Sequence, residues 1–448
     1  MTMTVSAALD EATLAGVLED CARRHRVPGA QLAVHQAGRT VAVEYGEAEH
    51  GSGRAVTADT AFPVGSITKA VTATVVLALA ADGDLGLDDP VASHVPGLAA
   101  ETSGITVRHL LSHTGGLPAG PASEEVTGLS PQRYVRHAAR PETLVLRPGT
   151  GFSYSNLGYV LLGEVITTVT GMSWAEAVTT MLLRPLGIPA DLVGVPGFAG
   201  SGRPFAAGHS RHPRTGRIRP VEQCLAAAEV AAGGLALSAV DLVKLGLLHI
   251  GGGDPAVLPA EYAAQMRRVV PGAVPFGLAH GWGLGLAVFG TVPHEWFGHA
   301  GNADGTDCHL RISPAEGRVV ALTTNVGAGS GMWPEVSAEL RDRGVPLDDG
   351  LPHGDAWPVT AADCVGVYRN GDLTYEITSG GPFGLCFSVD GEPAEPLLLG
   401  ADRTFYLCDE SSGRWTVGGR FVRDRRQGPV NAVQVGGRLG SRCVEAFA

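Results

Sequence analysis

The chain has 448 residues, 44% hydrophobic and 17% charged, a composition that supports a sizeable core and two to three domains. Its formal net charge of −12, with no basic patch of useful size, excludes nucleic acid as a partner. The seven cysteines are scattered and lack Cys-x-x-Cys spacing, which excludes a zinc framework and predicts free thiols in a reducing compartment.

Residues 1–8 have neither a basic n-region nor an apolar h-region, and no run of about 18 apolar residues is expected anywhere. A cytoplasmic protein with no membrane segment is therefore expected. Residues 9–26 read as an amphipathic helix. Two alternating runs, 30–36 and 40–45, predict a hairpin turning at Ala37-Gly38-Arg39. The loop Pro63-Val-Gly then runs at Ser66 into a helix reaching Ala81. That helix is apolar nearly all round, which places it inside a domain. Ser66 is expected as its N-cap, with Lys69 a turn later on the same face. Lys69 and Lys244 are the only lysines in the chain, and one of them stands at the start of a buried helix.

A polar, Pro-marked turn at 84–90 precedes 105–116, read as a helix ended by glycine. His109 and His113 within it have no partners at metal spacing, so structural roles and no metal are expected. Residues 147–156 form a glycine-punctuated loop that leads into an apolar helix, 157–170. Tyr154 and Asn156 stand ahead of that helix; alone they read as a core aromatic and a cap. Helical patterns continue to about residue 250. The runs 282–289, 295–299, 307–312 and 318–325 then predict consecutive antiparallel strands, with His299-Ala300-Gly301 at the end of the second. With the N-terminal hairpin they make one sheet, interrupted by a helical insert from about 66 to 250. A helix at 333–341 returns to cover it. Residues 346–360, rich in Pro, Asp and Gly, read as a linker. About eight short strands from 363 onward predict a small antiparallel barrel.

A serine hydroxyl becomes a useful nucleophile when an adjacent base takes its proton. Lysine can be that base if burial and the positive end of a helix lower its pKa. The same helix end offers backbone N–H groups to a developing oxyanion. Ser66-Ile-Thr-Lys69 is such an arrangement. Three motifs stand in order: Ser66-Ile-Thr-Lys69, Tyr154-Ser-Asn156 and His299-Ala-Gly301. His109-Leu-Leu-Ser-His-Thr-Gly-Gly116 and Gly233-Gly-Leu235 join them.

On these residues the chain, over about 8–345, resembles the serine β-lactamase and penicillin-binding-protein superfamily, in its class C and esterase-like branch. The resemblance implies an α+β fold: a β-lactamase/transpeptidase-like antiparallel sheet with an all-helical lobe, and the site between them. It implies Ser66 as acylated nucleophile, Lys69 as its base partner, Tyr154 as proton relay and Asn156 as the amide that holds substrate. Backbone N–H groups of Ser66 and Asn302, beside Gly301, would form the oxyanion hole. His299 stands where relatives often carry lysine. A titratable ring thus replaces a permanent cation, which weakens a β-lactamase assignment.

The C-terminal barrel and the cytoplasmic expectation make the chain most similar to penicillin-binding-protein-type thioesterases, whose last domain is lipocalin-like. That likeness implies a nonribosomal peptide delivered as a thioester by a peptidyl carrier protein, with no cofactor. The peptide would be transferred to Ser66 and released by head-to-tail macrolactamisation, with a D-residue favoured at its C-terminus. Arg442, or failing it Arg438, is the candidate for reaching the site from the barrel. Alternatives on the same fold are an esterase or transacylase, a D-amino-acid-specific peptidase or amidase, and a non-catalytic binding homologue. The expected domains are 1–345 (catalytic), 346–360 (linker) and 361–448 (barrel).

Overall fold

The computed structural model describes residues 9–95, 98, 102, 104–140, 143–195, 197–212, 215–251, 253–327, 331–348, 360–400, 403–409, 414–423 and 429–443. Most of the expected linker, and residues 1–8, lie outside them.

Seven antiparallel strands form the central sheet, in the spatial order Arg39–Gly46, Gly29–Gln36, Arg318–Thr324, Thr306–Ser313, Trp296–Ala303, Ala287–Phe289 and Gly281–Trp282. The N-terminal hairpin joins the C-terminal strands through pairs such as Leu32 with Leu322 and Ala33 with Ala321. The run 282–289 is not one strand. A turn through Gly285, at φ +88°, folds it into two short strands that pair with each other. His299 sits mid-strand, opposite Leu310, rather than at a strand end.

Helices Glu11–His25 and Met332–Asp342 cover one face of the sheet. Leu14, Leu18, Val336 and Leu340 pack there on Leu32, Leu322 and Trp296. Each such aliphatic side chain, fully removed from water, contributes about 1.5–3 kcal/mol. The helical lobe covers the other face, and Ala239–Leu247 lies directly on the strands. A Cβ on Gly246 would stand 2.6 Å from Val319 Cγ1, so glycine permits that approach.

Helix Thr68–Asp82 runs through the lobe with Lys69 and nearly all its apolar residues buried. With the turn before it, Gly65–Asp82 is long and apolar enough to cross a membrane, contrary to the expectation that no such run exists. Its burial inside the lobe marks it as a core helix. The predicted 105–116 helix is shorter, Val107–Leu111. The chain leaves it at His113, held at φ +56°, well before Gly116.

The C-terminal region is a closed barrel of eight antiparallel strands, from Gly366–Asn370 to Arg438–Arg442. Phe387, Phe405 and Phe421 fill its interior with Tyr368 and Tyr375. Gly418 and Gly419 leave room for the Phe405 ring, which a Cβ at either would approach to 2.7 Å.

Hydrogen bonds tie the barrel to the loop that carries Tyr154. Asn370, buried at a barrel turn, accepts from Ala119 N (2.6 Å) and donates to Ser153 Oγ (3.1 Å) and Leu439 O (2.8 Å). Tyr154 N donates to Gly437 O at 3.0 Å.

Candidate active site

The serine turn is held from both sides. Phe62–Pro63 pairs with Ala236–Leu237, and Val64 N donates to Leu235 O (2.9 Å). On the other side lies the Trp296–Ala303 strand. Gly65 has φ +48°, and a Cβ there would stand 2.1 Å from Asn302 O; one on Gly301 would stand 1.9 Å from Val64 O. Glycine at both positions lets the strand backbone lie against the turn. Ser66 itself is not the expected N-cap. It sits in a 3₁₀ turn, Gly65–Ile67, and neither that turn nor the α-helix after it has a side-chain cap. The hydroxyl is therefore free for another partner.

That partner is Lys69. Its Nζ lies 3.0 Å from Ser66 Oγ and donates to Ala232 O at 2.8 Å. The residue is fully buried, 5.1 Å from the Tyr154 ring centre and 5.7 Å from that of Tyr159. Burial, and then the charge of Arg438, lower its pKa to about 7, with Glu229 pulling the other way. An amine in this position is half in its free-base form near neutrality. It can keep one N–H on Ala232 O and turn its lone pair to the serine hydroxyl.

Tyr154 enters on the 147–156 loop, anchored by the barrel. Burial lifts its pKa to about 12, against a hydrogen bond from Ser66 and the charge of Arg438. Its ring stacks on His113 at 4.3 Å between centroids, and Trp282 meets it edge-on at 5.8 Å. His113 Nδ1 accepts from Ser155 N (3.1 Å), and burial holds this ring well below the usual imidazole pKa, hence neutral. His109 instead closes a capping box at its own helix. Ser155, not Asn156, caps helix Asn156–Thr170, through Gly158 N; Asn156 begins it with Oδ1 buried and unpartnered.

His299 differs from the titratable ring expected there. Burial, then the charge of Lys69, bring its pKa to about 3, so it is neutral throughout the physiological range. Nδ1 donates to Ala300 O, which leaves Nε2 buried, unpartnered and an acceptor. The site thus has no cation at this position.

Three cavities meet around Asn156. One of about 360 Å³ has an apolar wall of Leu278, Trp282 and Phe289 and also touches Ser66, Tyr154, His299 and Asn302. One of about 410 Å³ lies on the other side of Ser66, against Glu124, Glu229 and Asp304. The third, about 800 Å³, separates the helical lobe from the barrel. Ser66, Lys69, Tyr154, Asn156, His299, Gly301 and Asn302 are thus brought together. Arg442 is not among them: its guanidinium donates to Asp363 O, Val430 O and Val365 O inside the barrel. The barrel residue that reaches the site is Arg438, which lines two cavities with Cζ 5.9 Å from the Tyr154 ring centre. Sequence reasoning missed Glu229, the carbonyl of Ala232 and Trp282; for the first two the neighbouring Gly233-Gly234 pair was the available signal, and for Trp282 there was none. Among the described residues no group of three or more His, Cys, Asp or Glu could hold a metal ion.

This fold and site define a serine acyl hydrolase or transferase. The chain belongs to the β-lactamase family, which matches residues 14–340, within the serine β-lactamase and penicillin-binding-protein superfamily. Penicillin-binding protein 4 of Amycolatopsis lactamdurans is 32% identical over 361 residues, 77% of this chain and 94% of that protein. The crystal structure of SurE is 38% identical, with a TM-score of 0.85 over 97% of this chain and 99% of that one, barrel included. A D-stereospecific amidohydrolase from Streptomyces sp. is 26% identical, with a TM-score of 0.61 over 76% of this chain and 100% of that one.

Proposed function

We propose that the protein is a stand-alone thioesterase that cyclises a nonribosomal peptide. Residues 1–345 form its catalytic domain and 361–448 a lipocalin-like cover. In the cytoplasm, a peptidyl carrier protein presents the peptide as a thioester. Neutral Lys69 takes the Ser66 proton, Ser66 Oγ attacks the thioester carbon, and the thiol leaves with a proton. The oxyanion is held by the backbone N–H groups of Ser66 and Asn302. The peptide's own N-terminal amine then attacks the ester, and the proton it sheds returns through Tyr154 to Ser66 Oγ. His299 and Asn156 hold the acyl chain.

The observation that carries this reading is the barrel's attachment to the tyrosine loop, Tyr154 N to Gly437 O, with Arg438 beside the phenol. Simple hydrolysis needs no such cover. An intramolecular amine reaches effective concentrations on the order of 10⁵ M when well held, whereas bulk water competes at about 55 M unless excluded. The likeness to SurE over both regions supports the reading, and a structure of SurE with D-Leu supports a D-residue at the acyl position. The likeness to a D-stereospecific amidohydrolase favours a second reading, a D-specific amidase, but covers only 76% of this chain.

The test is incubation with peptidyl thioester mimics ending in D- or L-residues, read by mass spectrometry. Cyclic product from the D-series but not the L-series, lost in Ser66→Ala together with the covalent adduct, is expected. Turnover of short amides or simple esters alone would overturn the cyclase.

A further inference from the structure

Glu229 is a buried acid that the scheme above does not use. It is 3% exposed and forms a shared wall of the 410 and 800 Å³ cavities. Tyr134 Oη donates to its Oε1 at 3.1 Å, and Ser123 Oγ donates to its Oε2. Both donors are neutral, and among the described residues no Lys, Arg or His lies within ion-pair distance of it. Buried carboxylates are ordinarily matched by a cation. Here the two hydroxyls fix the carboxyl in place; burial raises its pKa, and Lys69 acts on it only through space, with no ion-pair contact. The gap it faces is acidic as well: Glu125, Asp372 and Asp390 line the 800 Å³ cavity, against the single guanidinium of Arg438 among the described lining residues. Arg438 stands at the Tyr154 end of that gap. The 800 Å³ gap shares Ala122, Ser123, Asn156 and Glu229 with the 410 Å³ cavity, and that cavity reaches Ser66.

From this geometry we infer that Glu229 is the specificity-determining residue for the acyl acceptor, drawing a cationic primary amine into the gap between lobe and barrel and orienting it toward the Ser66 ester. The inference rests on the acyl-transfer reading and adds to it the side from which the acceptor arrives. The apolar cavity beside Trp282 and Phe289 takes the acyl residue's side chain, and the amine comes from the opposite, acidic side. The acceptor arrives as an ammonium ion and loses one proton to solvent before it reacts. The C–N bond then forms as the C–Oγ bond breaks, and the amine's second proton passes by way of Tyr154 to Ser66 Oγ. Glu229 forms no covalent bond. Water and alcohols carry no charge for it to draw, so its effect is confined to amines.

The test measures how the acyl-enzyme partitions. Wild-type and Glu229→Gln enzymes are acylated with one peptidyl thioester mimic. They are then offered leucinamide or its neutral counterpart, 2-hydroxy-4-methylpentanamide, and transfer products are compared with hydrolysis. Glu229→Gln is expected to raise the half-saturating concentration of leucinamide about tenfold, the effect of losing one charge-assisted contact, with the hydroxy analogue's transfer-to-hydrolysis ratio unmoved. Tyr134→Phe, which frees one side of the carboxylate, is expected to move the leucinamide ratio in the same direction by less. Because each readout is a ratio within one acyl-enzyme, a loss of folded protein does not mimic it. An unchanged leucinamide ratio in both variants, or an equal fall for both acceptors, overturns the inference and makes Glu229 a packing residue. Failure of the wild type to form any Ser66 adduct overturns the acyl-transfer reading, and this inference with it.

Discussion

If Lys69 is the base that activates Ser66, acylation should follow the free-base fraction of one amine. With a pKa of about 7, that fraction is roughly 9% at pH 6, half at pH 7 and roughly 91% at pH 8. The acylation rate should therefore rise about tenfold from pH 6 to pH 8, half-maximal near 7, and then level off. Two neighbours leave this window to Lys69 alone, since His299 titrates near 3 and Tyr154 near 12. The Arg438 variant supplies the internal control. A cation nearby disfavours the ammonium form, so Arg438→Ala stabilises that form, raises the Lys69 pKa and moves the midpoint to higher pH. The assay is stopped-flow release of thiol from a peptidyl thioester in the first turnover, with acyl-enzyme confirmed by intact mass. A profile flat from pH 6 to 8, a midpoint at the ordinary lysine value of 10.5, or an acid shift in Arg438→Ala would refute the reasoning.

The same buried amine costs stability. Between about pH 7 and 10.5 the unfolded chain keeps a proton that the native chain has lost, so unfolding free energy rises with pH by about 1.4 kcal/mol per unit. Lys69→Met removes a penalty of about 4–5 kcal/mol at pH 7 and leaves Ala232 O without a donor, at about 1–3 kcal/mol, so a net gain of roughly 1–4 kcal/mol is expected. Denaturant melts check it, and a less stable variant would contradict the account. Gly65→Ala, with its Cβ 2.1 Å from Asn302 O, should push the strand from the serine and slow acylation about 100-fold; near-normal acylation would show that the contact does not position the site. Asn370→Ala should cost about 2–4 kcal/mol, because the buried Ala119 N–H and Ser153 lose a partner. It should also shift acyl-enzyme release from cyclisation toward hydrolysis. Thermal melts and product ratios read both effects, and an unchanged ratio would argue against the barrel as a cover.

Local chemistry made Ser66, Lys69 and the Tyr154 loop legible as one site in the residues themselves. A lysine one turn past a serine, on a helix apolar all round, has nowhere to lie but the interior, and burial then sets its pKa. The alternating runs predicted the sheet and the barrel for a similar reason, since side-chain period follows from backbone geometry. Three features depended on contacts between segments far apart in sequence. The serine turn is placed by backbone hydrogen bonds from residues 235–237 on one side and by glycine-permitted contact with residues 301–302 on the other. His299 is neutral because the tertiary fold dries out its surroundings, which no neighbour in the chain announces. Arg438 and Arg442 sit four residues apart on one barrel strand with similar credentials, yet one reaches the cleft while the other is bound to backbone carbonyls inside the barrel. Only the seating of the barrel on the Tyr154 loop separates them, because which end of a strand faces a neighbour is decided by packing rather than by residue type.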